Sequence, residues 1–183
     1  MCPIGGVRES GLEHGSVIVK GDRSVTGFKA LFLMAGLLLS PVLALANDCV
    51  DLHGAKQYRQ ALATCQKLAA TNDLAAQFTL GLMHFYGQGV PQSQQEAFAF
   101  FKRAAKSGHS GAQNNLGYFY YNGVVVKQDY VRAFLWFSLS AAEGFTEAAS
   151  FRDASAAYLN KDQMMQAQAM AQACRNSRYE MCE

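Results

Sequence analysis

Small and apolar residues recur along this chain at a fixed step. Ala61, Ala97, Ala133 and Ala169 lie 36 residues apart each time. Ala76, Ala112 and Ala148 keep that step, as do Leu80 and Leu116, Gly81 and Gly117, Gly87 and Gly123, and Gly108 and Gly144. Superposed, residues 73–108 and 109–144 agree at 12 of 36 positions. Inside each unit the apolar positions follow a helical period. Ala76, Leu80, Met83 and His84 fall at i, i+4, i+7 and i+8, one face of a helix, and Ala112, Leu116, Phe119 and Tyr120 repeat it. A second stripe follows, Ala97, Phe101, Ala104 and Ala105, echoed by Ala133, Phe137, Ser140 and Ala141. Gly87 and Gly123 close the first helices, and Gly108 and Gly144 the second, as glycine just past a helix C-terminus commonly does. A single helix pair cannot bury its own apolar face, so a period in this range predicts stacked units leaning on their neighbours. The expected fold is all-α, a short right-handed α-solenoid of antiparallel helix pairs.

The two ends depart from the unit as caps should. Upstream, Ala61 and Cys65 match only the second helix, so residues 47–72 read as a half repeat. Downstream, residues 145–183 read as capping helices. Glu147–Ala157 forms a first helix, and a last helix starts at Asn160, with Gln163 placed to complete its N-terminal cap. Gln166, Gln168 and Gln172 suit the solvent side of that last helix, which is expected to cover the apolar side of residues 147–157.

The apolar run Ala30–Ala46 follows Lys29 and ends in Ala44-Leu45-Ala46. Positive start, apolar middle and small-residue close form the layout of a secretory signal peptide. The run is shorter than the roughly 20 residues of a membrane-spanning helix, and Ser40-Pro41 interrupts it. Residues 1–46 are therefore expected to be a leader and signal peptide, cleaved after Ala46. The first 24 residues carry Glu9, Glu13 and Asp22 and fit no part of that layout, so translation is expected to begin near Val25 or at Met34. Asp48 immediately before Cys49 argues against a lipidated cysteine, because lipidation needs a small residue there.

Cleavage would leave one domain, residues 47–183, with a net charge of about +1. No basic run occurs, so nucleic acid is not an expected partner. Cleavage also removes Cys2 and leaves an even set, Cys49, Cys65, Cys174 and Cys182. An even count in an exported chain favours disulfides. In a solenoid the two ends lie tens of ångströms apart, whereas a disulfide needs Cα atoms within about 7 Å. The expected pairs are Cys49–Cys65 and Cys174–Cys182, each stabilising by roughly 2–4 kcal/mol.

Ala76, Leu80-Gly81, Gly87-Gln88-Gly89-Val90, Ala97, Phe100-Phe101, Ala104-Ala105 and Gly108 together resemble the Sel-one-like repeat, a relative of the tetratricopeptide repeat. Ala112, Leu116-Gly117, Tyr120, Gly123, Val126, Ala133, Trp136-Phe137, Ala141-Ala142 and Gly144 supply a second copy. Two positions depart from the family pattern: His84 stands for a tyrosine and Val125 for the second loop glycine. A β-branched residue tolerates positive φ poorly, so the second loop is expected to differ in shape from the first.

No catalytic set is visible. No lysine has serine three residues before it, no His-Glu-x-x-His occurs, and no phosphate-binding glycine loop is present. His84 aligns with Tyr120 and reads as packing, and His109 sits at a helix start. Gly144 separates Glu143 from Glu147, and Trp136 aligns with Phe100 and reads as core. No catalytic, cofactor or metal residues are therefore expected. Opposite the core stripe of the first helices lie Phe78, Leu82, Phe85, Asn114, Tyr118 and Tyr121. Exposed aromatics make good anchors for a partner; the alternative is that neighbouring helices bury this face. The resemblance implies a non-enzymatic interaction scaffold, periplasmic or secreted, holding an envelope or secreted protein or peptide in a groove of first helices, and the protein is expected to be a monomer. The other readings are a cell-wall-directed enzyme or peptidoglycan binder, and a regulatory subunit of an envelope complex.

Overall fold

The computed structural model describes residues 49–182. The expected leader and its cleavage site lie outside the described residues. After a helical turn over residues 49–54, the chain forms α1 (Tyr58–Ala70), α2 (Leu74–Tyr86), α3 (Gln94–Lys106), α4 (Ser110–Asn122), α5 (Tyr130–Ala142), α6 (Glu147–Ala156) and α7 (Lys161–Asn176). Among the described residues there is no strand. From α1 to α6 each helix packs on the next in sequence. Consecutive packing of short antiparallel helices makes this an all-α, TPR-like α-solenoid.

The two 36-residue units fold alike because the same contacts recur. Ala76, Leu80 and Met83 of α2 are buried, as are Ala112, Leu116 and Phe119 of α4. Ala97, Phe101, Ala104 and Ala105 of α3 are buried too. Gly81 and Gly117 let each helix pair close. A methyl group at Gly81 would lie 2.5 Å from the Phe101 ring, and one at Gly117 would lie 2.8 Å from Phe137. The aromatic ring of each second helix thus rests directly on the backbone of the first. Gly87 and Gly123 end α2 and α4 in the left-handed conformation (φ 70° and 68°).

The loop after α4 corrects the sequence expectation. It has the shape of the loop after α2. Gly89 has φ 74° and Val125 has φ 66°. The Ser93 N–H bonds to His84 O and the Asp129 N–H to Tyr120 O, both at 2.9 Å. Gln92 Nε2 donates to Phe85 O and Gln128 Nε2 to Tyr121 O, both at 2.8 Å. These bonds hold the loop, and Val125 takes the strained conformation inside it.

The C-terminal end holds a second correction. Ala61, Ala97 and Ala133 are fully buried, but Ala169, the next in the series, is exposed, and Ala167, Ala171 and Cys174 face inward instead. α7 begins at Asn160 with the expected capping box, Asn160 Oδ1 accepting from Gln163 N–H and Gln163 Oε1 accepting from Asn160 N–H. Its extensive packing is against α5, not α6. α6 buries only Ala148 and Ser155, whereas α5 presents the large side chains of Leu135, Trp136 and Leu139. The larger apolar surface wins the last helix.

Both expected disulfides are present, Cys49–Cys65 with Cα atoms 5.1 Å apart and Cys174–Cys182 with Cα atoms 4.6 Å apart. The first fixes the helical turn to α1. His53 Nε2 then meets Gln88 Oε1 at 2.8 Å, and Gln88 Nε2 donates to Tyr58 Oη at 3.3 Å, tying the half repeat to the first loop. The second disulfide closes the segment after α7. There the Tyr179 ring lies against Gly108, and its hydroxyl donates to Glu143 at 2.6 Å. Burial and that carboxylate both push the Tyr179 phenol upward in pKa.

Candidate binding face of the first helices

Buried polar groups at the joints between repeats set the position of this face. Gln77 Nε2 donates to Ala69 O at 3.5 Å, and Gln113 Nε2 to Ala105 O at 3.3 Å. Each glutamine satisfies a carbonyl in the last turn of the preceding helix, where carbonyls lack helical partners. The pair shares the 36-residue step, the signal in the sequence that marks them as structural. Ser140 Oγ adds a bond to Ser110 O at 2.8 Å, joining α5 to the start of α4.

The starts of α2 and α4 are capped by different chemistry. Asp73 Oδ1 accepts from Ala76 N–H at 2.7 Å, and His109 Nδ1 accepts from Ala112 N–H at 3.2 Å. An imidazole nitrogen accepts only when it carries no proton, so the cap requires neutral His109. Burial lowers the His109 pKa, which favours that neutral form.

Phe78 lies between the two units. Its ring stacks on His109 with centroids 4.4 Å apart, touches Phe101 at 5.8 Å, and rests against the Gly111 backbone. Phe85 packs on Phe101 and Phe119 and meets Tyr118 edge-on at 6.4 Å. Phe78, Leu82, Phe85 and Tyr118 are all half-buried around one core cluster. Phe78 and Phe85 therefore join the repeats while keeping an exposed edge.

Asn114 is half-buried one turn before Tyr118 on α4, and its Oδ1 is buried with no hydrogen-bond partner. Tyr121 belongs elsewhere, edge-on to Tyr130 at 5.3 Å and to Tyr158 at 6.2 Å. Of the six residues singled out on the first helices, Phe78, Leu82, Phe85 and Tyr118 share a cluster, and Tyr121 faces the α5–α6 end.

His84 stacks on Phe100 at 5.5 Å, with Nδ1 buried and unpartnered. Among the described residues no three His, Cys, Asp or Glu side chains converge as a metal site, and no helix is long and apolar enough to cross a membrane.

The Sel1 repeat family profile matches residues 74–109 and 110–145. No curated protein matches the chain. Among solved structures, the chain is similar to a protective antigen present in uropathogenic Escherichia coli strains displaying an SLR fold. That match has 29% identity and a TM-score of 0.69, and covers 77% of this chain and 31% of that one. It is also similar to a Sel1 repeat protein from Oxalobacter formigenes, at 30% identity and a TM-score of 0.54, over 57% of this chain and 41% of that one. The chain thus spans well under half the length of either. The repeat contacts and the two family matches lead to the same conclusion: residues 74–145 are two consecutive Sel1 repeats.

Proposed function

We propose that this protein is an exported, non-catalytic scaffold that captures a protein or peptide on the face formed by α2 and α4. Sel1 repeats serve in general as protein–protein interaction modules, and that role carries over to this chain. The observation that carries the finer reading is Asn114. A buried carbonyl oxygen without a partner costs about 1–3 kcal/mol, and here it lies one helical turn before half-buried Tyr118 on α4. A partner N–H bonded to Asn114 Oδ1, with apolar side chains on Leu82 and the edges of Phe85 and Tyr118, satisfies the amide and covers the aromatics together. Two disulfides suit an oxidising compartment, and the signal-like run at residues 30–46 supplies a route there, to the periplasm or outside the cell.

Phe85 is a poor probe of this face, because truncating it also removes packing on Phe101 and Phe119. The test uses Asn114→Ala and Leu82→Ser. A partner recovered from envelope extract by the wild-type protein is expected to bind these variants at least about tenfold more weakly, the effect of losing one buried hydrogen bond. Their melting temperatures should stay within a few degrees of wild type. Equal capture by wild type and both variants would place the partner on another surface.

A further inference from the structure

A cleft of about 390 Å³ opens between the start of α5, the turn after α6 and the outer side of α7. It exists only because α7 leaves the repeat register and lies along α5. Its lining includes Asp129, Tyr130, Arg132, Tyr158, Gln163 and Gln166. The volume falls within the range of roughly 300–1,000 Å³ typical of small-ligand sites.

We infer that this cleft is a binding site for a neutral oligosaccharide, with Tyr158 as its stacking platform. Three observations select that ligand class. The first is charge. Asp129 and Arg132 are the charged residues of the lining, and they neutralise each other, Arg132 Nη1 bonding to Asp129 Oδ2 at 2.7 Å. An anion would meet the carboxylate, and a cation the guanidinium. The pair still presents a strong acceptor and several donors to uncharged hydroxyl groups.

The second is the aromatic arrangement. Tyr130 and Tyr158 stack on each other at 4.3 Å, only 10° from parallel. With the rings in contact, no slot remains between them for a proline ring or an aliphatic side chain. They act as one slab, and Tyr158 stays 59% exposed although it is held by Tyr130 and by the edge of Tyr121. A rigid, exposed ring offers a flat apolar surface at little entropic cost, matched by the C–H face of a pyranose. The third is the rim. Gln166 adds a side-chain amide able to donate and accept, as vicinal hydroxyls require, and Gln163, whose Oε1 accepts from Asn160 N–H, adds its amide N–H donors.

The inference is independent of the partner face on α2 and α4, and the two fail separately. Saturation-transfer NMR and calorimetry with maltotriose, cellotriose and chitotriose test it on the folded protein. At least one is expected to bind, with saturation concentrated on the C–H protons of one ring. Tyr158→Ala should weaken that binding by about tenfold, the scale of a lost aromatic contact, while Tyr158→Phe should retain it. Gln166→Ala, an exposed change on α7, should weaken it by about threefold, the scale of a single hydrogen bond to a neutral group. Silence from all three sugars overturns the inference. So does binding that Tyr158→Ala leaves unchanged, or selective binding of a proline-rich decapeptide in their place.

Discussion

Helices α3 and α5 are the same element of successive repeats, thirteen residues each, yet they bury different amounts of side chain. α3 buries Ala97, Phe101, Ala104 and Ala105. α5 buries Ala133, Phe137 and Ser140 at matching positions and adds Phe134, Leu135, Trp136 and Leu139. The differences sit on the outer stripe. Exposed Ala99 and Arg103 of α3 become buried Leu135 and Leu139 of α5, and half-buried Phe100 becomes fully buried Trp136. A solenoid helix thus has an inner stripe common to every copy and an outer stripe fixed by whatever lies beyond it. Beyond α5 lies α7.

The largest effect should come from removing that cover. Deleting residues 160–183 exposes Leu135, Trp136 and Leu139 and removes one disulfide, and the fragment is expected to be aggregated or largely unfolded by circular dichroism and size exclusion. Within the intact chain the same contrast is read by paired truncations. Trp136→Ala should cost about 3–5 kcal/mol in denaturant unfolding, and Phe100→Ala, half-buried against His84 without a helix such as α7 over it, about half of that. Equal costs would show that α7 adds nothing to the burial of α5.

A smaller effect is expected at the loops. Both loops share one backbone, but Gly89 occupies its left-handed position without strain and Val125 does not. Val125→Gly should stabilise by about 1 kcal/mol, the relief of strain exceeding the added chain entropy. Gly89→Val should destabilise by more, because Tyr58 also crowds that site. A lower melting temperature for Val125→Gly would contradict the shared loop geometry.

The smallest effect concerns the caps. Asp73 caps α2 through a carboxylate oxygen, whereas the imidazole of His109 caps α4 only when neutral. Its folded pKa lies below its unfolded value near 6.5. The contribution is therefore complete above about pH 6.5 and is lost as pH falls through that value toward the folded pKa. Loss of the cap is worth about 1 kcal/mol. Asn caps without titrating, so stability measured from pH 7.5 to 5 should fall more steeply for wild type than for His109→Asn. Parallel slopes would mean that the His109 bond does not cap α4.

The helix pairs, their glycine stops, the inner stripe and the cysteine pairing were legible in the residues alone. Each depends on local period or on the distance between chain ends, and the 36-residue step carries both. Gln77 and Gln113 were legible in the same way, since they repeat at that step, but only their bonds to Ala69 and Ala105 reveal the reason. The shape of the second loop was not legible. The preference of Val125 against positive φ is local, and the Asp129–Tyr120 backbone bond with the Gln128 side chain overrides it. Nor was the place of α7: Ala169 continues the repeat spacing and so reads as inner, whereas Ala167 and Ala171 carry no such signal. Only tertiary packing turns Ala169 outward and Ala167 inward, because burying the outer stripe of α5 outweighs continuing the stack on the small residues of α6. That choice also created the cleft around Tyr158, whose residues are far apart in sequence and share no period.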